Sequence, residues 1–200
     1  VSLFELHDLA IGALAPWELR VEAGECVGLT GPSGSGKSRL LRAMADLDIH
    51  QGEAGLEGRG CREYDPCSWR SQVGLLPAES AWWGETIGEH FQRAPEEARL
   101  KALGFSIQTL DWSVARCSTG ERQRLALLRL LENRPRVLLL DEPTASLDPA
   151  NVQAAESMIT DYLRMTGAAA IWVGHDPEQL RRMARRQFAI RHGEVVEVTP

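Results

Sequence analysis

The chain has 200 residues, 44% of them apolar, and a formal net charge of −6. That length suits one domain with at most a subdomain, and the apolar share is enough for a core. The acidic balance argues against a general nucleic-acid binder, and no apolar run approaches the length of a membrane span. Cys26, Cys61, Cys67 and Cys117 include no C-x-x-C pair, and no two histidines stand at metal-ligand spacing. Free thiols in a reducing cytosol are the expectation. No charged-then-apolar leader opens the sequence.

In chain order, Leu3 to Leu6 and Trp17 to Val21 read as strands, an expected antiparallel β portion at the N-terminus. Glu25 to Thr30 is a short, mostly apolar run of strand type, and Arg39 to Ala45 is helix-forming. Residues 52–71, rich in Gly, Cys, Arg and Pro, predict an irregular connector. Gln72 to Leu76 predicts a strand ended by Pro77, and residues 85–133 are mostly helical by pattern. Arg136 to Leu140 and Ala168 to Val173 predict buried strands, with a helix over Asn151 to Met165 between them. A helix over Pro177 to Arg186 follows, its arginines forming a solvated face, and then two short strands around Gly193. Alternating strands and helices predict an α/β domain over 1–200. Its sheet is mostly parallel and flanked by helices, with a small helical subdomain over about 78–134.

Between the third strand and its helix, residues 31–38 read Gly-Pro-Ser-Gly-Ser-Gly-Lys-Ser, the G-x-x-x-x-G-K-[ST] pattern of a phosphate-binding P-loop. Glycines keep Cβ atoms out of the way, so backbone N–H groups can close around a polyphosphate at a helix N-terminus. The candidate nucleotide-binding residues are Gly31, Pro32, Ser33, Gly34, Ser35, Gly36, Lys37, Ser38 and Arg39, with the Ser38 hydroxyl a ligand for Mg²⁺. Val137 to Leu140 form an apolar run ending in Asp141 and Glu142. The run is expected to lie beside the P-loop strand, with Asp141 placed to hold Mg²⁺ and Glu142 to reach a water in line with a γ-phosphate. Ser118 with Glu121 three residues on forms a capping box at a helix start.

These blocks together resemble the ATP-binding cassette (ABC) ATPases, the nucleotide-binding subunits of ABC transporters. The resemblance rests on Gly31 to Ser38, Cys117 to Glu121, Val137 to Glu142, Pro143-Thr144-Ala145-Ser146-Leu147-Asp148, and His175 after Ala170 to Gly174. It covers nearly the whole chain. It implies ATP and Mg²⁺ as ligands and a homodimer, or an equivalent second cassette, packed head to tail. Ser118, Thr119, Gly120 and Glu121 would face the partner's nucleotide. Glu142 would be the general base, His175 a γ-phosphate contact, Lys37 a catalytic charge, and Asp148 a residue of the dimer seam. A separate transmembrane permease would receive the motion, with this subunit cytoplasmic and peripherally attached to the membrane's inner face. The rivals are a soluble cassette ATPase outside transport and a weakly hydrolysing regulatory module.

The sequence departs from the family pattern at three places. Cys117 and Thr119 replace the usual Leu and first Gly of the signature. Ala78 stands where Gln is usual, and the neighbouring Glu79 is the candidate replacement metal ligand. Residues 7–15 hold no aromatic side chain to stack on adenine, leaving His7 or Ile11 as weak covers. Trp82 and Trp83 fit either the helical core or a groove that receives the permease.

Overall fold

The computed structural model describes residues 2–198. Ten strands and six α-helices run in this order: β1 (Phe4–Ala10), β2 (Trp17–Val21), β3 (Cys26–Thr30), α1 (Lys37–Met44), β4 (Gln51–Leu56), β5 (Arg59–Gly60), α2 (Pro66–Gln72), β6 (Val73–Leu76), α3 (Glu97–Ala102), α4 (Thr119–Glu132), β7 (Val137–Asp141), α5 (Pro149–Thr166), β8 (Ala169–Val173), α6 (Pro177–Met183), β9 (Arg186–Arg191) and β10 (Glu194–Val198).

Strand period decides the first sheet. In β2, Trp17, Leu19 and Val21 are buried while Glu18 and Arg20 face water, the pattern of a half-covered antiparallel strand. The sheet order is β2-β1-β4-β5. The second sheet has the order β10-β9-β3-β8-β7-β6. Its strands from β9 to β6 run parallel, and β10 closes the edge as a hairpin with β9. Both β7 and β8 are buried along their whole length, as parallel strands covered on two faces must be. Successive residues feed opposite cores. Leu139 and Ile171 join Leu29, Leu41 and Trp69; Leu138, Leu140 and Trp172 join Leu127 and Ile159. A third, smaller core gathers Ile87, Leu100, Leu103, Phe105, Cys117, Leu125 and Leu128.

Four expectations are corrected. Residues 52–71 are ordered: β4 pairs with β1 from Gln51 to Leu56, and α2 is capped by Asp65, which accepts from the Cys67 and Ser68 N–H groups. Trp69 anchors α2 by donating from Nε1 to the Met44 carbonyl at 3.0 Å. Residues 85–133 carry far less helix than their pattern suggested. Before α4 they hold only α3 and short 3₁₀ turns at 88–90, 107–111 and 114–116, because Gly88, Pro95 and Gly104 interrupt the run. The acidic strand β7 is not beside the P-loop strand β3; β8 pairs with both and lies between them. Finally, α6 stops at Met183, and Arg186 opens β9 rather than facing solvent on a helix.

Arg186 is instead an internal clasp. Its guanidinium donates to Glu25 from Nε at 2.8 Å and from Nη2 at 3.1 Å, fixing the mouth of β3 against β9. Burial alone would raise the Glu25 pKa. The Arg186 hydrogen bonds and the Glu22 N–H outweigh burial and hold it below the ordinary value. A depressed folded-state pKa means stabilisation that is complete above the ordinary value of 4.5 and lost as pH falls through the lower folded-state value. We expect Glu25→Gln to cost about 2–3 kcal/mol at pH 7, less than the about 3–5 typical of a fully buried pair, because Arg186 is partly exposed. The difference from wild type should shrink in acid, as the Glu25 carboxylate takes up its proton. Urea unfolding at pH 7 and pH 3 checks both points, and an equal deficit at the two values would contradict them.

Candidate active site

The glycines of the P-loop adopt the backbone that their neighbours would resist. Gly36, the residue before α1, has φ +101°, and Gly34 has φ +76°, a region closed to most L-residues. The loop leads from the end of β3 straight into α1, so the helix N-terminus faces the loop's hollow. Lys37 is buried. Its ammonium donates to the Gly31 carbonyl at 2.8 Å and the Pro32 carbonyl at 3.0 Å, holding the loop closed from inside. Pro32, Ser33, Gly34, Ser38 and Arg39 are exposed, and Ser35 is half-buried. The loop therefore exposes Ser33, Ser38 and Arg39 at a helix N-terminus, over the buried ammonium of Lys37, an arrangement that can hold a polyphosphate.

Two strands away, β7 ends in the buried Asp141. Glu142 then takes φ +49°, a conformation that costs a non-glycine residue about 1–3 kcal/mol and persists only where neighbours impose it. Its N–H donates to the Val173 carbonyl at 3.0 Å, tying the kink to β8. The kink places the Glu142 carboxylate against His175, with Oε1 2.8 Å from Nε2. Because β8 lies between β3 and β7, His175 leaves the sheet between the P-loop and the two carboxylates. The P-loop, Asp141, Glu142 and His175 thus share the C-terminal edge of adjacent parallel strands, where open α/β sheets bind ligands.

The Ser118–Glu121 tip is built as a helix cap. Ser118 Oγ accepts from the Glu121 N–H at 3.2 Å, and the Glu121 carboxylate accepts from the Ser118 N–H at 2.7 Å. Glu121 is held below the usual carboxylate range by those Ser118 hydrogen bonds. Thr119 is exposed at the tip, and Cys117 is buried in the small helical core. A Cβ on Gly120 would lie 2.8 Å from the Ser146 carbonyl oxygen, so the tip packs tightly on the loop before α5. Asp148 caps α5 by accepting from the Asn151 N–H at 3.0 Å. Among the described residues no hydrogen bond or ion pair joins this tip to the P-loop. Glu79 is exposed on the loop after β6, apart from these contacts. Ile11 is buried in the core, and His7 pairs with Glu5 at 3.0 Å. Trp82 is half-buried between two cores, whereas Trp83 is 74% exposed.

Two supports had no signal of their own in the sequence. Arg124 donates to the Asn151 side chain at 2.6 Å and to the Leu103 carbonyl, bracing α4 on α5 and the end of α3. The buried Gln179 donates to Thr144 Oγ1 at 2.9 Å and to Glu156 at 2.8 Å, which steadies the loop just after Glu142. Each joins residues more than twenty positions apart.

A family model described as ABC transporter matches residues 14–145, from just before β2 through the P-loop, the tip and the acidic strand. The chain belongs to the ABC transporter family. Relatives agree along most of its length. The lipoprotein-releasing system ATP-binding protein LolD 2 of Caulobacter vibrioides is 38% identical, with 96% of this chain and 90% of that protein covered. The phosphate import ATP-binding protein PstB of Aeropyrum pernix is 30% identical over 98% of this chain and 91% of its own. Protein STAR1 of Oryza sativa subsp. japonica is 37% identical over 92% of this chain; the chain spans 56% of that protein's length. Among solved structures, the ATP-binding subunit of an ABC transporter superposes with a TM-score of 0.87 at 25% identity, covering 99% of this chain and 90% of its own. A dimeric ATP-binding cassette in a post-hydrolysis state, bound to ADP and Pi, superposes with a TM-score of 0.82 at 23% identity, covering 98% of each chain. The fold is that of a P-loop NTPase, and the chain is an ATP-hydrolysing cassette of the ABC family. Among its described residues no helix is long and apolar enough to cross a membrane.

Proposed function

We propose that this chain is the ATPase subunit of an ABC transporter, cytoplasmic and attached to the inner face of the membrane through a separate permease. The single observation that carries the catalytic part is the Glu142–His175 contact of 2.8 Å at the sheet edge shared with the P-loop. Phosphoryl transfer to water needs positioning and charge stabilisation rather than a covalent nucleophile. Gly31 to Arg39 cradle the phosphates through backbone N–H groups, and Lys37 turns from the Gly31 and Pro32 carbonyls toward the β- and γ-phosphates. Glu142 takes the water's proton as general base. His175 holds that carboxylate and contacts the γ-phosphate, so its position registers whether the phosphate is present.

The exposed Ser38 hydroxyl and the buried Asp141 carboxylate are hard oxygen donors of the kind Mg²⁺ selects. They would hold the ion, which neutralises phosphate charge when bound. Glu79 is the proposed extra oxygen donor in place of Gln. Ser118, Thr119, Gly120 and Glu121 present a helix N-terminus to the nucleotide of a second copy, and Asp148 lies at the same seam. The helical subdomain over about 78–134 has its own small core, a unit suited to moving against the sheet. The exposed Trp83 is its proposed contact for the permease.

Capture of the tagged chain from detergent-solubilised membranes tests the transport assignment. A multi-span membrane protein should copurify, and Mg-ATP turnover should persist in the complex. Robust hydrolysis with no membrane partner would instead favour a soluble cassette ATPase.

A further inference from the structure

Away from the nucleotide site, the C-terminal end of α1 meets β4 and the turn that follows β5. Three side chains of different chemistry converge there. One ligand atom each from Asp46, His50 and Cys61 all lie within 4.8 Å of one another. We propose that Asp46, His50 and Cys61 form a site for a first-row divalent cation of zinc type. Thiolate, imidazole and carboxylate are three of zinc's preferred ligands, whereas Mg²⁺ and Ca²⁺ take oxygen alone.

The surroundings fix the His50 ring and the backbone at Asp46. His50 Nδ1 lies 2.9 Å from the Asp48 carbonyl oxygen. A carbonyl can only accept, so Nδ1 carries the proton and Nε2 keeps its lone pair for a ligand. Asp48 is itself fixed by Arg42, whose Nε and Nη2 donate to Asp48 Oδ1 at 3.0 and 2.8 Å. Asp46 sits at φ +54°, past the helix end, and its carbonyl accepts from Arg70 at 3.3 Å. Cys61 is buried, and Glu53 Oε1 lies 4.0 Å from its sulfur. A water can complete four-coordination beside the three side chains. A tetrahedral zinc holds its ligands about 3.3–3.8 Å apart at bond lengths of about 2.0–2.3 Å, so the three donors close by roughly an ångström on binding. The bound ion would staple α1, the helix that begins at the P-loop, to the antiparallel sheet.

The test uses the purified chain, stripped with chelator and free of nucleotide, titrated with Zn²⁺ against a chromophoric chelator and separately with Co²⁺. One Zn²⁺ per chain should bind, excess Mg²⁺ should not displace it, and Co²⁺ should give a thiolate charge-transfer band. His50→Gln and Cys61→Ser should each weaken binding by at least about tenfold, while Cys67→Ser, at an exposed cysteine, should bind as wild type. Absence of stoichiometric binding, absence of the cobalt band, or unchanged affinity in His50→Gln would overturn the proposal. Should Cys61→Ser fail to fold, the half-buried His50 variant and the cobalt band decide.

Discussion

Glu142→Gln is expected to lower Mg-ATP turnover by about 10²–10⁴-fold, the contribution typical of a positioned general base. Nucleotide affinity should stay within about twofold, because the change touches the chemical step rather than ground-state binding. The substitution keeps the side chain's size. Its amide oxygen can still accept from His175 across the 2.8 Å contact, and the Glu142 N–H bond to Val173 survives. What is lost is the carboxylate's ability to take a proton from water. Phosphate release under single- and multiple-turnover conditions, beside equilibrium nucleotide binding, separates the two effects. Turnover equal to wild type would remove Glu142 from the chemistry.

Lys37→Ala should act on the other term, weakening ATP binding by about 10–100-fold, the value of one or two hydrogen bonds to a charged group. The loss has two sources. The phosphates lose a buried ammonium, and the carbonyls of Gly31 and Pro32 lose the donor that closes the loop at 2.8 and 3.0 Å. Titration with a fluorescent ATP analogue reads the change directly. An unaltered Kd would place Lys37 outside the binding site, whatever the loop's shape.

Much of this was legible in the sequence because the signals are local. The Gly-rich loop, the apolar run into Asp141 and Glu142, and the Ser118–Glu121 box each need only a few neighbouring residues. The structure finds the cap closed as the spacing requires. The misread parts depend on distant partners. Residues 52–71 looked irregular because Gly52, Gly55, Gly58 and Gly60 obscure strand period. β4 forms nonetheless because β1 supplies its ladder. The order of strands was also beyond local pattern. An apolar run says that β7 is buried on both faces, not that β8 separates it from β3. Arg186 was read from its basic neighbours, yet its partner Glu25 lies 161 positions away. The Asp46–His50–Cys61 cluster escaped the cysteine and histidine spacing rules for the same reason: only the turn after β5 brings Cys61 back to the end of α1.

The phosphate cradle and the Ser118–Gly120 tip are proposed to complete one site only when supplied by two chains. Mixing Lys37→Ala with Gly120→Ala chains tests it most directly. In Gly120→Ala the added methyl meets the Ser146 carbonyl at 2.8 Å and displaces the tip, and Lys37→Ala leaves its cradle largely empty at ATP near the wild-type Kd, so at that concentration each variant alone should be nearly inactive. A mixed pair holds one composite site with both parts intact. With random pairing, half the dimers are mixed and half their sites are whole, so activity should rise to about a quarter of wild type. Activity no greater than the sum of the separate variants would contradict a site shared between two chains.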